Sequence, residues 1–187
     1  LILNGVQTND EWNVIRSTLE AHIVTNNMNA DSSVKTNSNG LACFEALTPG
    51  LYLTVVGNVT QNELICNFDS ALIALPGIDV NGHWQYQVTV ASKSEMITPS
   101  DAEIELKVLK LWKGDEKRNS RPLNIKVEIF RDGASYEKIT LSQDNNWSYS
   151  WLSKDDGSEW KVIERNIPLG YTMTIEERER SFIITNT

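Results

Sequence analysis

Two histidines and two cysteines are all that this 187-residue chain has of the side chains that most often bind transition metals. His22 and His83 are not spaced as a helical pair, and there is no Cys-x-x-Cys, so no metal site is expected. Cys43 and Cys66 admit one disulfide if the protein is exported; two buried thiols on neighbouring strands is the other reading. Basic clusters are missing as well. With a net charge of −8 and nothing to offset it locally, binding to a nucleic-acid backbone is excluded. No apolar run approaches the length of a membrane-spanning helix, so no membrane insertion is expected within these residues. No charged n-region stands before an apolar core at Leu1, so no signal peptide is read there, and the chain reads as an excised or processed piece of a longer protein. No cofactor is expected.

What is present suits packed β-structure. Apolar residues make up 40% and tryptophan occurs six times, enough to fill cores in one large domain or two small ones. The charges are unevenly placed. Up to Ser92 only Arg16 and Lys35 are cationic, against eight acids; the remainder holds fifteen cations and seventeen acids. That shift, with the stretch Ser-Lys-Ser-Glu-Met-Ile-Thr-Pro-Ser at 92–100, divides the chain into a domain at 1–95, a linker at 96–103 and a domain at 104–187.

In the first part, Asn9-Asp10 precede Trp12, Ile15, Leu19 and Ile23, spaced like one face of a helix with an acidic first turn. A polar loop is expected over 25–40. "GLACFEALTPGLYLTVV" (40–56) reads as strand, Pro-Gly turn, strand. In "HWQYQVTV" (83–90) Trp84, Tyr86, Val88 and Val90 alternate with polar residues and are expected to face inward. The second part contains seven short strand-like runs separated by turns such as Arg-Asp-Gly, Asp-Asp-Gly and Pro-Leu-Gly. The fold class expected is mainly β: two tandem immunoglobulin-like sandwiches, the first with one short helix packed on it.

Three strands of the second part aim a polar group along their apolar face. The inward series are Ile104, Leu106, Val108, Lys110; Trp160, Val162, Glu164; and Phe182, Ile184, Asn186. A lysine near a strand end can snorkel and a terminal asparagine can fray. Together, however, the three residues are an amine, a carboxylic acid and an amide. Burial lowers a lysine pKa and raises a glutamate pKa. A neutral Lys110 amine can then attack the Asn186 side-chain carbonyl while protonated Glu164 polarises it, expelling ammonia and leaving an isopeptide bond.

The surrounding motifs resemble a known family. "KLW" (110–112), "RPLNIKVEIFRDG" (121–133), "NNWSYSW" (145–151), "WKVIERNIPLGY" (160–171) and "FIITNT" (182–187) are similar, in order, to the Cna B-type domain of Gram-positive surface adhesins and pilins. Trp151 stands where that family usually has Phe, and Trp160 where it has Tyr. The resemblance implies a Lys110–Asn186 cross-link assisted by Glu164, in a cell-wall-anchored, extracellular setting. "STLEAHI" (17–23), "GLACFEALTPGLYL" (40–53), "ALIALPG" (71–77) and "HWQYQVTVASKSE" (83–95) resemble the N-terminal domain of sortase-assembled pilins. There the corresponding lysine, Lys93 here, accepts the next subunit's sorting signal; Ala91-Ser92 replaces the Tyr-Pro that usually precedes it. An ordinary linker lysine is the other reading of Lys93. Lys35, in a polar loop, is expected to form no internal bond.

The leading expectation is thus a structural protein, a pilin or pilus-associated subunit, partnered by other pilin subunits through a sortase. The alternative is an adhesin module binding a host surface ligand through loops of the first domain. A carbohydrate-active enzyme is disfavoured because Glu164 points into a core rather than a cleft.

Overall fold

The computed structural model describes residue 3, residues 5–115 and residues 121–187. Among these residues one α-helix, α1 (Asn9–Thr25), and a short 3-10 turn (Gln143–Asn145) accompany fourteen strands: β1 (Gly50–Thr54), β2 (Val59–Gln61), β3 (Leu64–Phe68), β4 (Ala71–Leu75), β5 (Gly77–Ile78), β6 (Trp84–Gln85), β7 (Ser94–Ile97), β8 (Glu103–Trp112), β9 (Asn124–Arg131), β10 (Ala134–Ser142), β11 (Ser148–Lys154), β12 (Trp160–Arg165), β13 (Met173–Arg178) and β14 (Ser181–Asn186). The mainly β class is what the residue pattern calls for.

Strands β8 to β14 coincide with the seven runs read from the sequence and form two sheets. One has the order β11-β8-β14-β13, the other β10-β9-β12. Every pairing is antiparallel except that of β8 with β14, which run parallel with Ile184 opposite Lys110 and Asn186 opposite Trp112. Alternation decides which side chains enter the space between the sheets. Leu106, Val108, Phe182, Ile184, Val127, Ile129 and Val162 are buried there, with Trp151 and Trp160. Charged residues such as Glu105 and Lys107 take the outward phase of β8.

The chain between α1 and β8 is built differently. β1 pairs with β4, β5 with β6, and β2, β3 and β7 form a three-stranded sheet. No residue from 22 to 105 is fully buried. The inward face expected for "HWQYQVTV" is not there: Trp84 is 64% and Tyr86 71% exposed, and Val88 and Val90 are exposed too. The physical reason is that only Trp84 and Gln85 of this run join a ladder, a two-residue one with β5, and a lone ribbon has no second layer to cover its face. Residues 41–48, expected as a strand, form none. The Cys43–Cys66 disulfide is not formed: Cys66 sits on β3 between Val59 and Met96, while Cys43 lies exposed in the strandless stretch, and both thiols are free.

Helix α1 begins at Asn9 and is capped by Thr8. Thr8 Oγ1 accepts from Glu11 N–H at 3.2 Å, and the Glu11 carboxylate accepts from Thr8 N–H at 3.0 Å, a reciprocal cap. Its buried residues are Ile15, Ser17, Thr18, Glu20 and Ala21. Trp12, Leu19 and Ile23, the rest of the expected apolar face, are only half-buried. The more polar side faces β12 and β13. Thr18 Oγ1 accepts from Ile175 N–H at 2.8 Å, and Lys161 Nζ donates to Glu20 at 2.9 Å. The helix therefore packs on the second sandwich, not only on the first part of the chain.

Candidate functional site

Lys110 projects from β8, Asn186 from β14 and Glu164 from β12, so two groups come from one sheet and the third from the sheet facing it. The side chains of Lys110 and Glu164 have no solvent exposure, and Asn186 is also fully buried. Strand phase alone brings this about, since each residue continues an apolar series that ends inside.

Glu164 bridges the other two. Lys110 Nζ donates to Glu164 Oε2 at 2.8 Å, and Asn186 Nδ2 donates to Glu164 Oε1 at 3.0 Å. Asn186 Oδ1 is buried and has no hydrogen-bond partner among the described residues. An unpartnered carbonyl in a dry interior is costly, and it is the atom that a protonated Glu164 would serve. Exchanging the amide's oxygen and nitrogen by a half-turn brings Oδ1 to the acid. Burial lowers the Lys110 pKa to about 8, although the hydrogen bond and charge of Glu164 pull the other way. Desolvation wins over pairing because both charges lie away from water.

An aromatic cluster closes one end of the site. The Lys110 ammonium stands 4.6 Å from the centre of the Trp112 ring, a favourable cation–π distance. Trp112 meets Trp147 and Tyr171 edge-on at 5.3 and 5.1 Å. Tyr171 Oη donates to Asp115 at 3.1 Å, and Asp115 also accepts from Arg121 at 2.5 Å. Arg121, followed by Asp115's other contacts, holds that carboxyl below its usual range. Trp112, Trp147, Tyr171 and Arg121 stand in the sequence only as motif letters, and Asp115 belongs to none of the motifs. Their roles come from strand ends converging, which no local pattern reveals.

The other candidates lie apart. Lys93 is exposed in the segment before β7, and its backbone carbonyl accepts from Asp69 N–H at 2.9 Å. Lys35 is exposed in a strandless stretch. Among the described residues no cluster of three metal-binding side chains occurs, and no helix is long and apolar enough to cross a membrane.

Residues 106–187 match the family model of the Cna protein B-type domain. The curated collagen adhesin of Staphylococcus aureus is 28% identical over 116 residues, covering 58% of this chain and 9% of its own length. The chain thus spans about a tenth of that relative. Among solved structures, a single B repeat unit (B1) of the collagen-binding surface protein of S. aureus is similar at 19% identity and a TM-score of 0.41, over 67% of this chain and 84% of that one. The pilus backbone of Streptococcus pneumoniae is similar at 19% identity and a TM-score of 0.36, over 44% of this chain and 32% of that one.

Proposed function

We propose that this chain, whose residues 106–187 match the Cna protein B-type domain, is part of an extracellular structural protein of the pilin or surface-adhesin kind, stabilised by a self-formed Lys110–Asn186 amide. The carrying observation is that a fully buried Glu164 hydrogen-bonds both would-be partners at once.

The chemistry balances without any co-reactant. Lys110 passes one ammonium proton to Glu164, and the neutral Nζ attacks Asn186 Cγ while Glu164 donates to Oδ1. The Cγ–Nδ2 bond then breaks. Two of the lysine protons leave with the departing nitrogen as ammonium, one stays on the new amide, and Glu164 ends as the carboxylate it was. Proximity does most of the work, because three groups held in one dry cavity have no translational freedom left to lose. The protein is its own substrate once and is not an enzyme in the turnover sense.

The result suits a fibre under tension. The bond would join two parallel neighbours at opposite ends of the domain's sequence. By the loop-entropy relation used for disulfides it would add about 4–5 kcal/mol. Lys93, exposed before β7, suits the acceptor of a sortase-made bond to another subunit. The exposed Trp84 and Tyr86 favour a second reading, an adhesive face on the first part of the chain; the curated relative carries the name collagen adhesin.

Intact-mass measurement tests the central step. The native protein is expected to be lighter than its sequence by one ammonia, and Glu164→Ala to carry the full mass. A native mass equal to the sequence mass removes the cross-link.

A further inference from the structure

The helix lies at the wrong end of the chain for its packing. α1 precedes the three small sheets and meets them where Arg16 and Glu20 hydrogen-bond Ser70, yet its other keyed contacts are to the second sandwich. Thr18 Oγ1 accepts from Ile175 N–H at 2.8 Å and donates back to Ile175 C=O at 3.3 Å. β13 is an end strand of its sheet, so this hydroxyl occupies ladder groups that would otherwise be an open edge. Lys161 Nζ, buried on β12, is shared between Glu20 of α1 and Glu177 of β13, both at 2.9 Å. Arg165 reaches Thr25 C=O at 3.4 Å. These contacts are polar, specific and non-covalent. Of the helix residues they bury, only Ile15 is a large apolar one.

This arrangement sets a load path. While α1 is docked, tension applied before α1 and drawn from the end of β14 passes from the helix into β12 and β13. The chain between Thr25 and Glu103, which contains no fully buried side chain, is bypassed. We propose that α1 is a releasable clasp that shunts force around the weak first part of the chain and, when it lets go, pays out that part as a reserve of length. The reserve follows from chain geometry: the segment between Thr25 and Glu103, at about 3.3–3.6 Å per extended residue, gives roughly 250 Å. Its usefulness rests on the cross-linked sandwich proposed above, because the clasp protects nothing if the domain behind it yields first.

Single-molecule pulling on the full chain, held before α1 and after β14, separates the two ideas. The expected trace has a first step at low force that lengthens the chain by roughly 250 Å and no further lengthening from the loop between Lys110 and Asn186. Thr18→Val and Glu20→Gln each remove clasp contacts at the helix surface and are expected to move the first step to lower force, with the final extension unchanged. A first-step force identical in both variants and the native chain overturns the clasp. A later step releasing the Lys110–Asn186 loop instead overturns the cross-link and leaves the clasp standing. Far-UV circular dichroism of both variants, matching the native chain, shows that α1 is still formed.

Discussion

Lys110, Glu164 and Asn186 together pose an energetic problem that either reading of their function must face. A buried ion pair beside a buried amide with one unpartnered oxygen gains less from its contacts than it loses in hydration. Forming an amide removes the lysine charge from the interior, with ammonium carrying it away, while Glu164 stays a carboxylate and the carbonyl becomes part of the new amide. Glu164→Ala is therefore expected to do two things: restore the ammonia and leave Lys110 buried without a partner. Thermal melting should show a loss of at least the roughly 4–5 kcal/mol assigned to the link. The pH dependence also has a definite sign. The reactive pair needs one shared proton, held by lysine before reaction and by Glu164 during it. With Lys110 depressed to about 8 by burial, that proton is present at neutral pH and lost as pH rises through 8. For chain synthesised into denaturant and then refolded, the rate of ammonia loss, followed by mass, is expected to fall above pH 8. A rate that climbs steadily towards pH 10 would mean that Glu164 is not the proton carrier.

At the scale of elements, the turn between β11 and β12 joins the two parts of the molecule. Gly157 has φ of +79°, and a Cβ there would lie 2.7 Å from Ile65 Cδ1 on β3. Nearby, Ser100 N–H donates to Asp155 C=O at 2.8 Å, and Asp155 N–H to Ala102 C=O at 2.9 Å. Gly157→Ala combines left-handed backbone with a steric clash, and a loss of about 1–3 kcal/mol is expected in denaturant unfolding. Adding Ile65→Ala should return part of that loss, since it removes the clash but not the backbone strain. The same scale explains an uneven match between sequence and structure. Strands such as β8, β10 and β14 were legible because they bury alternate residues against a facing sheet, so the pattern and the ladder agree. "HWQYQVTV" shows equally clean alternation, yet no second layer meets it. Helix α1 was legible in position, but its buried side was not. That side is chosen by Ile175, Lys161 and Arg165, more than a hundred residues away.

Taken whole, the molecule is a firm sandwich with a lightly packed partner. Local stability follows buried apolar contact, and every fully buried large side chain belongs to α1 or to residues beyond 105. Hydrogen exchange is expected to be complete first in β1 to β7 and last in β8, β9, β12 and β14. Calorimetry should show two transitions, with Glu164→Ala lowering only the upper one. Equal lowering of both would mean that the two parts melt as one unit.

The sequence by itself determined the strands of the second sandwich and three polar residues on their inward phase, Lys110, Glu164 and Asn186, because a period of two converts order along the chain directly into a choice of face. Only the tertiary structure decided that Glu164 touches both of the others, that Trp112, Trp147 and Tyr171 close over them, and that α1 packs on β12 and β13. Those outcomes depend on which sheets stack and which edges remain open. They are set by contacts between distant segments, whose free energies have no local periodic trace.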